Sequence, residues 1–177
     1  MFVNLLSMDE RAAALEKQLG WTSVLVQGKN CSLNASKVGM INLVSGGSLE
    51  TNQKAVRTPK KVHVLLDPVN EREKTFDTAI AQIARDNQIA IGFSLSSFLK
   101  SKGVQRVKLF KNAAYAVKIC LKQKNPIVLV TGAETELGAR APEDLAAFAT
   151  LLGLTKQQAL WAVSKTPQAI IETAQRD

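Results

Sequence analysis

Histidine and cysteine are scarce in this sequence, and their scarcity limits the chemistry that the chain can carry. It has one histidine, His63, and two cysteines, Cys31 and Cys120. Metal sites in hydrolases need several histidine, cysteine or carboxylate ligands that converge on one point. The cysteines lie far apart and outside any Cys-x-x-Cys pattern, so we expect buried thiols and neither a disulfide framework nor a zinc site. His63 alternates with two valines in a predicted strand, which favours a structural role.

The short motifs of nucleotide-binding and hydrolytic enzymes are also missing. No G-x-x-x-x-G-K-[ST] or G-x-G-x-x-G pattern occurs, and residues 92–98 lack the second glycine of a nucleophile elbow. Asp67 follows a predicted strand, where a barrel enzyme would keep an acid, but Asp-Pro is also an ordinary strand end. We therefore predict no catalytic and no metal-binding residue in this chain.

Long apolar runs are absent as well. None approaches the roughly 20 residues that a membrane span requires, and the N-terminal residues lack the basic start and cleavage site of a signal peptide. With 46% hydrophobic and 21% charged residues, the composition is that of a globular protein. We expect a cytoplasmic protein, not attached to a membrane, with a single domain over residues 1–177.

Apolar segments alternate with segments of helical periodicity along the chain. Six apolar segments, each followed by a break, predict buried strands at residues 2–6, 23–26, 40–44, 60–66, 89–95 and 127–130. Amphipathic segments predict helices at residues 9–19, 50–57 and 104–123, one starting at Asp77, and three more starting at Pro142, Thr155 and Thr166-Pro167. Residues 27–37 give a weak signal, read as a loop or a marginal helical turn. Strands without polar alternation must be covered on both faces, so the fold class is α/β with parallel strands.

Acidic residues are missing from one long interval. The formal net charge is +8, yet no Asp or Glu occurs from residue 87 to residue 133. That interval holds eight basic residues: Lys100, Lys102, Arg106, Lys108, Lys111, Lys118, Lys122 and Lys124. Clustered cations gain affinity for polyanions by releasing counterions from phosphates. The charge pattern therefore favours a nucleic-acid partner.

The predicted helix within this interval carries two stripes at spacings of three and four. The first is apolar and predicts the core-facing side: Val107, Phe110, Ala114, Val117 and Leu121. The second follows one residue later and is basic around one aromatic: Lys108, Lys111, Tyr115, Lys118 and Lys122. A solvated face is one reading, but such faces normally include Glu. A surface that follows RNA phosphates, with Tyr115 stacking on an unpaired base, is the sharper reading.

Several segments from residue 69 onwards resemble the archaeal ribonuclease P protein component 3 family, which is related to a eukaryal subunit. They are Asp77 within VNEREKTFDTAIAQIA, AIGFSL at 90–95, the Gly132-Ala133 pair, RAPEDL at 140–145, LLGLTKQQAL and Thr166-Pro167. Their order and spacing match the family from about residue 69 to residue 172. The sequence departs at Thr78, where the family often has His, at Gly138, where an acid is usual, and at residues 27–37, where about one strand and one helix are missing.

The resemblance implies a TIM-barrel-like fold of the polymerase and histidinol phosphatase type, trimmed or incomplete and without the metal ligands. It also implies a non-catalytic subunit of ribonuclease P. In that family the RNA is the catalyst, uses magnesium, and removes the 5′ leader of precursor tRNA. Component 3 works with protein component 2 and the other ribonuclease P proteins, and binds and activates the RNA. No cofactor is implied for the protein itself.

We expect the RNA-binding residues to be Arg106, Lys108, Lys111, Tyr115, Lys118, Lys122 and Arg140, with Arg140 either touching RNA or holding its loop. Two other functions stay open at this point. One is a metal-dependent barrel phosphoesterase that uses Asp67 and His63. The other is a scaffold whose basic face binds an acidic protein.

Overall fold

The structure, a computed structural model, describes residues 1–34 and 39–175, which form a parallel α/β fold. Its strands in the described part are β1 (Val3–Ser7), β2 (Ser23–Val26), β3 (Cys31–Ser32), β4 (Ile41–Ser45), β5 (Val64–Leu66), β6 (Ala90–Ser94) and β7 (Ile127–Val130). Strand β1 pairs with β2, and the others form one sheet in the order β3-β4-β5-β6-β7. All of these pairs are parallel. The predicted α/β class with parallel strands is confirmed.

Eight helices are described between and after the strands. They are α1 (Glu10–Gln18), α2 (Leu49–Val56), α3 (Thr78–Asp86), α4 (Leu95–Lys100), α5 (Gly103–Gln123), α6 (Pro142–Leu151), α7 (Lys156–Ala162) and α8 (Lys165–Ala174). Side-chain caps explain several of the starts, since Asp9 accepts from two backbone N–H groups of α1 and Asp77 accepts from Ile80 of α3. Among the described helices, none has the length and apolar content that crossing a bilayer demands.

Three predicted elements differ from the structure. Strand β3 lies in the segment that we expected to be a loop or helical turn, because a two-residue strand is too short for a periodic signal; residues 35–37 of that segment lie outside the described residues. Strand β5 begins at Val64 and not at residue 60, because Lys60 has a φ of 67° and belongs to a turn. Helix α4 follows β6 directly, since the Ser94 hydroxyl accepts from the Ser97 N–H and starts a helix where we expected the strand to continue.

The first and last strands are neighbours in space. The Gly132 N–H donates to the Leu6 carbonyl over 3.1 Å, and the Met8 N–H donates to the Ala133 carbonyl over 2.8 Å. The Asn4 side chain of β1 donates to the Thr131 hydroxyl, just beyond β7, over 2.7 Å. On the other side of this pair, Gln27 and Cys31 form a parallel bridge between the end of β2 and the start of β3.

Two hydrophobic clusters lie on the two faces of the strands. The larger one packs helices against the outward-facing strand residues, among them Leu65, Ile91 and Leu129. The smaller one is built from strand residues of the opposite face, including Leu5, Leu43, Val64 and Val128, and it is joined by Ile170 and Ile171 of α8. Alternating strand residues therefore serve two cores, which explains why the strands read as continuous apolar runs.

Candidate nucleic-acid interface

The acid-free part of the chain includes α5, which is 21 residues long. Its buried side contacts α3 and α4 and joins the larger hydrophobic cluster through residues that include Leu109, Ala113, Ala116 and Cys120. Small side chains at three of these positions let the helix lie close to its neighbours. The helix ends at Lys124, whose φ of 60° is left-handed.

The predicted core stripe of α5 is confirmed at Val117, which is 1% exposed, and is wrong at its ends. Val107 is 68% exposed and Leu121 is 36% exposed, whereas Leu109, which lay outside the stripe, is buried. Apolar residues occur on more than one side of this helix, so their spacing alone does not identify the buried side. Phe110 is half-buried, because it packs in a ring cluster with Phe98 and Phe148 at centroid distances of 4.8 and 6.0 Å.

The predicted basic stripe lies on the exposed side of α5. Its four lysines, Lys108, Lys111, Lys118 and Lys122, are exposed. Among the described residues, none of the four has a carboxylate within ion-pair distance. At a rise of 1.5 Å per residue, the row from Lys108 to Lys122 is roughly 21 Å long. We call these four lysines and Tyr115 the basic face.

Tyr115 lies in the middle of the basic face and is 48% exposed. The Lys74 ammonium, from the segment that precedes α3, is 5.3 Å from the centre of its ring. A cation at that distance is attracted to the ring face. Lys74 therefore adds a further cation beside the basic face, which sequence periodicity could not reveal because it comes from another segment.

The two arginines of the predicted set make hydrogen bonds within the protein. Arg106 donates through Nε to the Ser101 carbonyl over 2.6 Å and through Nη2 to the Leu99 carbonyl over 3.2 Å, at the end of α4. Arg140 donates through Nη1 to the carbonyls of Leu137 and Ala139. The structure thus places Arg140 in a loop-holding arrangement. Its carbonyl also accepts from the Trp21 indole N–H over 2.7 Å.

Asp67 lies at the carboxyl end of β5 and is held by β6 and α4. Its Oδ1 accepts from the Ser94 N–H over 2.8 Å, and its Oδ2 accepts from the hydroxyls of Ser94 and Ser97 over 2.5 and 2.6 Å. Burial raises the pKa of this carboxyl, and the serine hydrogen bonds and the nearby Lys100 charge oppose that rise. The two serines and a backbone φ of 48° fix the Asp67 turn.

His63 and Asp67 do not form one site. His63 precedes β5 and its Nδ1 accepts from the Asn42 N–H over 2.9 Å, whereas Asp67 follows the other end of that strand. Four residues of extended chain separate them by roughly 13 Å. Within the described residues, no three His, Cys, Asp or Glu side chains are grouped closely enough to hold a metal ion. The geometry offers no support for the phosphoesterase alternative.

A buried polar network that the sequence did not predict lies between β1, α1 and the end of β7. The Asn4 side-chain N–H₂ donates to Glu16 Oε2 over 3.0 Å and to the Thr131 hydroxyl over 2.7 Å. Glu16 and Asn4 are both 0% exposed. Burial raises the pKa of Glu16, and the neighbouring Thr131 and Asn4 side chains oppose that rise to a smaller extent.

Comparison with known proteins identifies relatives over most of the chain. The family model described as RNase P subunit p30 matches residues 11–177. Ribonuclease P protein component 3 of Methanococcoides burtonii is 30% identical over 134 residues, which cover 76% of this chain and 55% of that protein. The protein of the same name from Thermococcus gammatolerans is 25% identical over 170 residues, which cover 93% of this chain and 78% of that protein.

A solved structure has the same fold. A chain in the cryo-EM structure of archaeal Ribonuclease P with mature tRNA matches this one with a TM-score of 0.70 at 20% identity, covering 97% of this chain and 82% of that chain. The chain spans about half the length of several curated relatives, such as the Methanosarcina mazei protein, of which 54% is covered at 31% identity.

Proposed function

This chain belongs to the RNase P subunit p30 family, and we propose that it acts as a non-catalytic protein subunit of ribonuclease P. In this role it binds and activates the RNA that removes the 5′ leader of precursor tRNA. Its partners are that RNA, precursor tRNA, protein component 2 and the other ribonuclease P proteins. The RNA supplies the catalysis and uses the magnesium.

The observation that carries the proposal is the basic face of α5. It presents four lysines and one half-exposed tyrosine to solvent, and no carboxylate within the described residues pairs with any of the lysines. An ordinary solvated helix face intersperses acidic residues, which pair with lysines three or four positions away. Unpaired cations in a row are suited to a partner that brings its own negative charges, as an RNA backbone does.

We assign RNA contacts to the residues as follows. Lys108, Lys111, Lys118 and Lys122 bind phosphates, and Tyr115 stacks on an unpaired base. Arg106 uses two of its five N–H donors for hydrogen bonds to the end of α4, and its remaining N–H groups can bind a phosphate. Arg140 holds its loop and keeps the remaining guanidinium donors for RNA.

We also propose that the strands form a trimmed TIM-barrel-like ring. Three observations support it: the hydrogen bond from Gly132 to Leu6, the bridge between Gln27 and Cys31, and the smaller core, which takes residues from β1 through β7. A closed sheet fills its interior with alternate side chains from every strand. Seven short strands in the described residues would make this ring smaller than an eight-stranded barrel.

Precursor-tRNA cleavage by the catalytic RNA tests the proposed function. The assay would contain protein component 2 at limiting magnesium, with this chain added or omitted. We expect a large gain in cleavage rate when the chain is added, because cations on the protein replace part of the magnesium that RNA folding requires. The chain without RNA should cleave nothing.

Two other outcomes would contradict the proposal. No gain with folded protein and competent RNA would remove the ribonuclease P role. Hydrolysis of a generic phosphoester by the chain alone, abolished by a chelator, would instead establish a metal-dependent enzyme.

A further inference from the structure

A cavity of about 530 Å³ lies at the amino ends of β5, β6 and β7, beneath α8. This is the opposite end of the strands from Asp67. Ligand pockets usually have volumes of roughly 300–1,000 Å³, so a nucleotide fits in size. Nothing in the proposed contacts of the basic face uses this cavity.

The walls of the cavity combine cations with apolar surface. Lys60, Arg85 and Lys124 line it, together with Ala90, Pro126 and Ile170. One acidic residue, Asp86, is found among the described residues that line the cavity. Its carboxylate is paired with Arg85 over 2.8 Å. Lys60 and Lys124 have no carboxylate within ion-pair distance in the described chain. The cavity therefore carries about two uncompensated positive charges beside a surface that suits a base or a ribose.

The backbone that presents these lysines is unusual. Lys60, Gln88 and Lys124 have φ values of 67°, 57° and 60°, and each lies shortly before one of the three strands. Glycine adopts this left-handed conformation without steric cost, and other residues adopt it at a cost. Two of the three positions hold lysine, although glycine would adopt this backbone conformation more easily. Gln88 and Lys124 follow the ends of α3 and α5, where a left-handed residue is a common helix cap, so these φ values explain how the side chains are directed and do not by themselves indicate a site.

The cavity also lies near the carboxyl-terminal end of the basic face. Lys122 is the last cation of that face, and Lys124, two residues later at the end of α5, lines the cavity. An RNA strand that follows the lysines along α5 would reach the cavity at the end of the helix.

We propose that this cavity binds one nucleotide of the bound RNA, with its phosphate between Lys60 and Lys124 and its sugar or base against Pro126 and Ile170. This inference rests on the proposed function, because the strand that supplies the nucleotide is the RNA on the basic face. It adds a second binding site, on a different end of the fold.

Site-directed cross-linking in the assembled holoenzyme tests the proposal directly. Both native cysteines are buried, so a photoreactive group attached to an introduced surface thiol will label that position alone. Thr173→Cys places the group at the cavity, and Glu50→Cys places it on the exposed first turn of α2, away from the residues to which RNA contacts are assigned. We expect RNA cross-links from position 173 and none from position 50.

The double variant K60Q/K124Q supplies the second measurement. We expect the affinity of the assembly for its RNA to fall about tenfold and the salt slope to fall by about 1.5 units, as for two lost phosphate contacts. Lysines near helix ends can also simply stabilise the last carbonyls. In that case the variant would lose thermal stability and keep its RNA affinity.

Each result is decisive. Unchanged RNA affinity with no cross-link from position 173 overturns the cavity proposal, while wild-type activation of the RNA leaves the proposed function standing. A wild-type chain that fails to bind or activate the RNA overturns both. Cross-linking at position 173 together with the weakened double variant supports the cavity as a nucleotide site.

Discussion

Two carboxyl groups, the fully buried Glu16 and the half-buried Asp67, have pKa values raised by removal from solvent. Asp67 accepts hydrogen bonds from Ser94 and Ser97. Glu16 Oε2 accepts from the Asn4 side chain, whereas no donor among the described residues is in hydrogen-bonding geometry with Glu16 Oε1. A carboxyl whose pKa is raised by folding favours the folded state below its unfolded pKa. That contribution is lost as the pH rises through the folded pKa.

Glu16→Gln should therefore stabilise the protein near neutral pH. Glutamine keeps the shape of the side chain and removes the cost of either ionising the buried carboxyl or keeping it protonated. We expect the free energy of unfolding to rise by about 1 kcal/mol at pH 7 to 8, and the gain to shrink towards pH 4. Urea unfolding at several pH values measures this difference.

The exposed Glu136→Gln variant is the matched control for Glu16→Gln, and it should show little change at any of these pH values. If Glu16→Gln instead destabilised the protein at neutral pH, the Glu16 carboxylate would be ionised and well solvated, contrary to its burial.

Gly92 has no room for a side chain. A methyl group there would lie 2.8 Å from Cγ1 of Val64 and 3.0 Å from Cδ1 of Leu66, inside the smaller core. Gly92→Ala should cost roughly 1–3 kcal/mol of stability. Thermal unfolding of Gly92→Ala, Val64→Ala and the double variant measures the effect.

The double variant should be less destabilised than the sum of the single variants, because Val64→Ala removes the nearest clashing atom. Strict additivity would show that the glycine is present for another reason.

At the scale of the element, the basic face of α5 should act through charge. Replacing Lys108, Lys111, Lys118 and Lys122 by glutamine should lower RNA affinity strongly at low salt. The slope of log affinity against log salt should fall by roughly 3 units, which corresponds to four lost phosphate contacts. Stability should change little, because all four side chains are exposed. Filter binding of the RNA over a range of salt concentrations measures both quantities.

A matched control removes the same total charge from other exposed helix positions: Lys17, Lys54, Lys156 and Lys165. It should retain most of the salt slope. Equal losses in the two variants would mean that total charge, and not the arrangement on α5, determines RNA binding.

The sequence predicted strong elements well and weak or short ones poorly. Strand β2 and strand β7 have the predicted bounds, because each is a short apolar run between clear breaks. Helix α4 was missed because its signal is a capping serine, Ser94, directly after the strand. The core side of α5 was misplaced because exposed Val104 and Val107 compete with buried alanines for the same spacing.

The candidate site was predictable in part for a similar reason. The basic face lies on one helix, so periodicity reveals it. The cavity draws Lys60, Arg85 and Lys124 from three separate segments, and the Glu16 network joins residues more than a hundred positions apart. Such groupings depend on how the strands are arranged in space. Residues from separate segments leave no periodic pattern along the sequence by which they could be grouped.

At the scale of the whole molecule, contacts tie the beginning of the chain to its end. Strand β1 lies beside β7, the Trp21 indole donates to the Arg140 carbonyl, and Ile170 and Ile171 of α8 pack against the strand interior. Within the described residues, these contacts join the first and last elements of the fold. We propose that residues 1–177 form one cooperative domain.

Two optical probes can test that cooperativity. Trp21 is 3% exposed and lies in the first part of the fold, whereas Trp161 is 43% exposed. In a Trp161→Phe background, Trp21 fluorescence reports the packing between the two ends of the chain, and circular dichroism reports all helices. We expect one urea transition with the same midpoint for both probes, as in a two-state domain.

Asn4→Ala should move both curves together to lower urea, by about 2 kcal/mol, because it leaves Glu16 and Thr131 without their shared partner. If Trp21 fluorescence changed first and circular dichroism later, the amino-terminal strands would form a separate unit. The β1–β7 contact would then be too weak to close a ring.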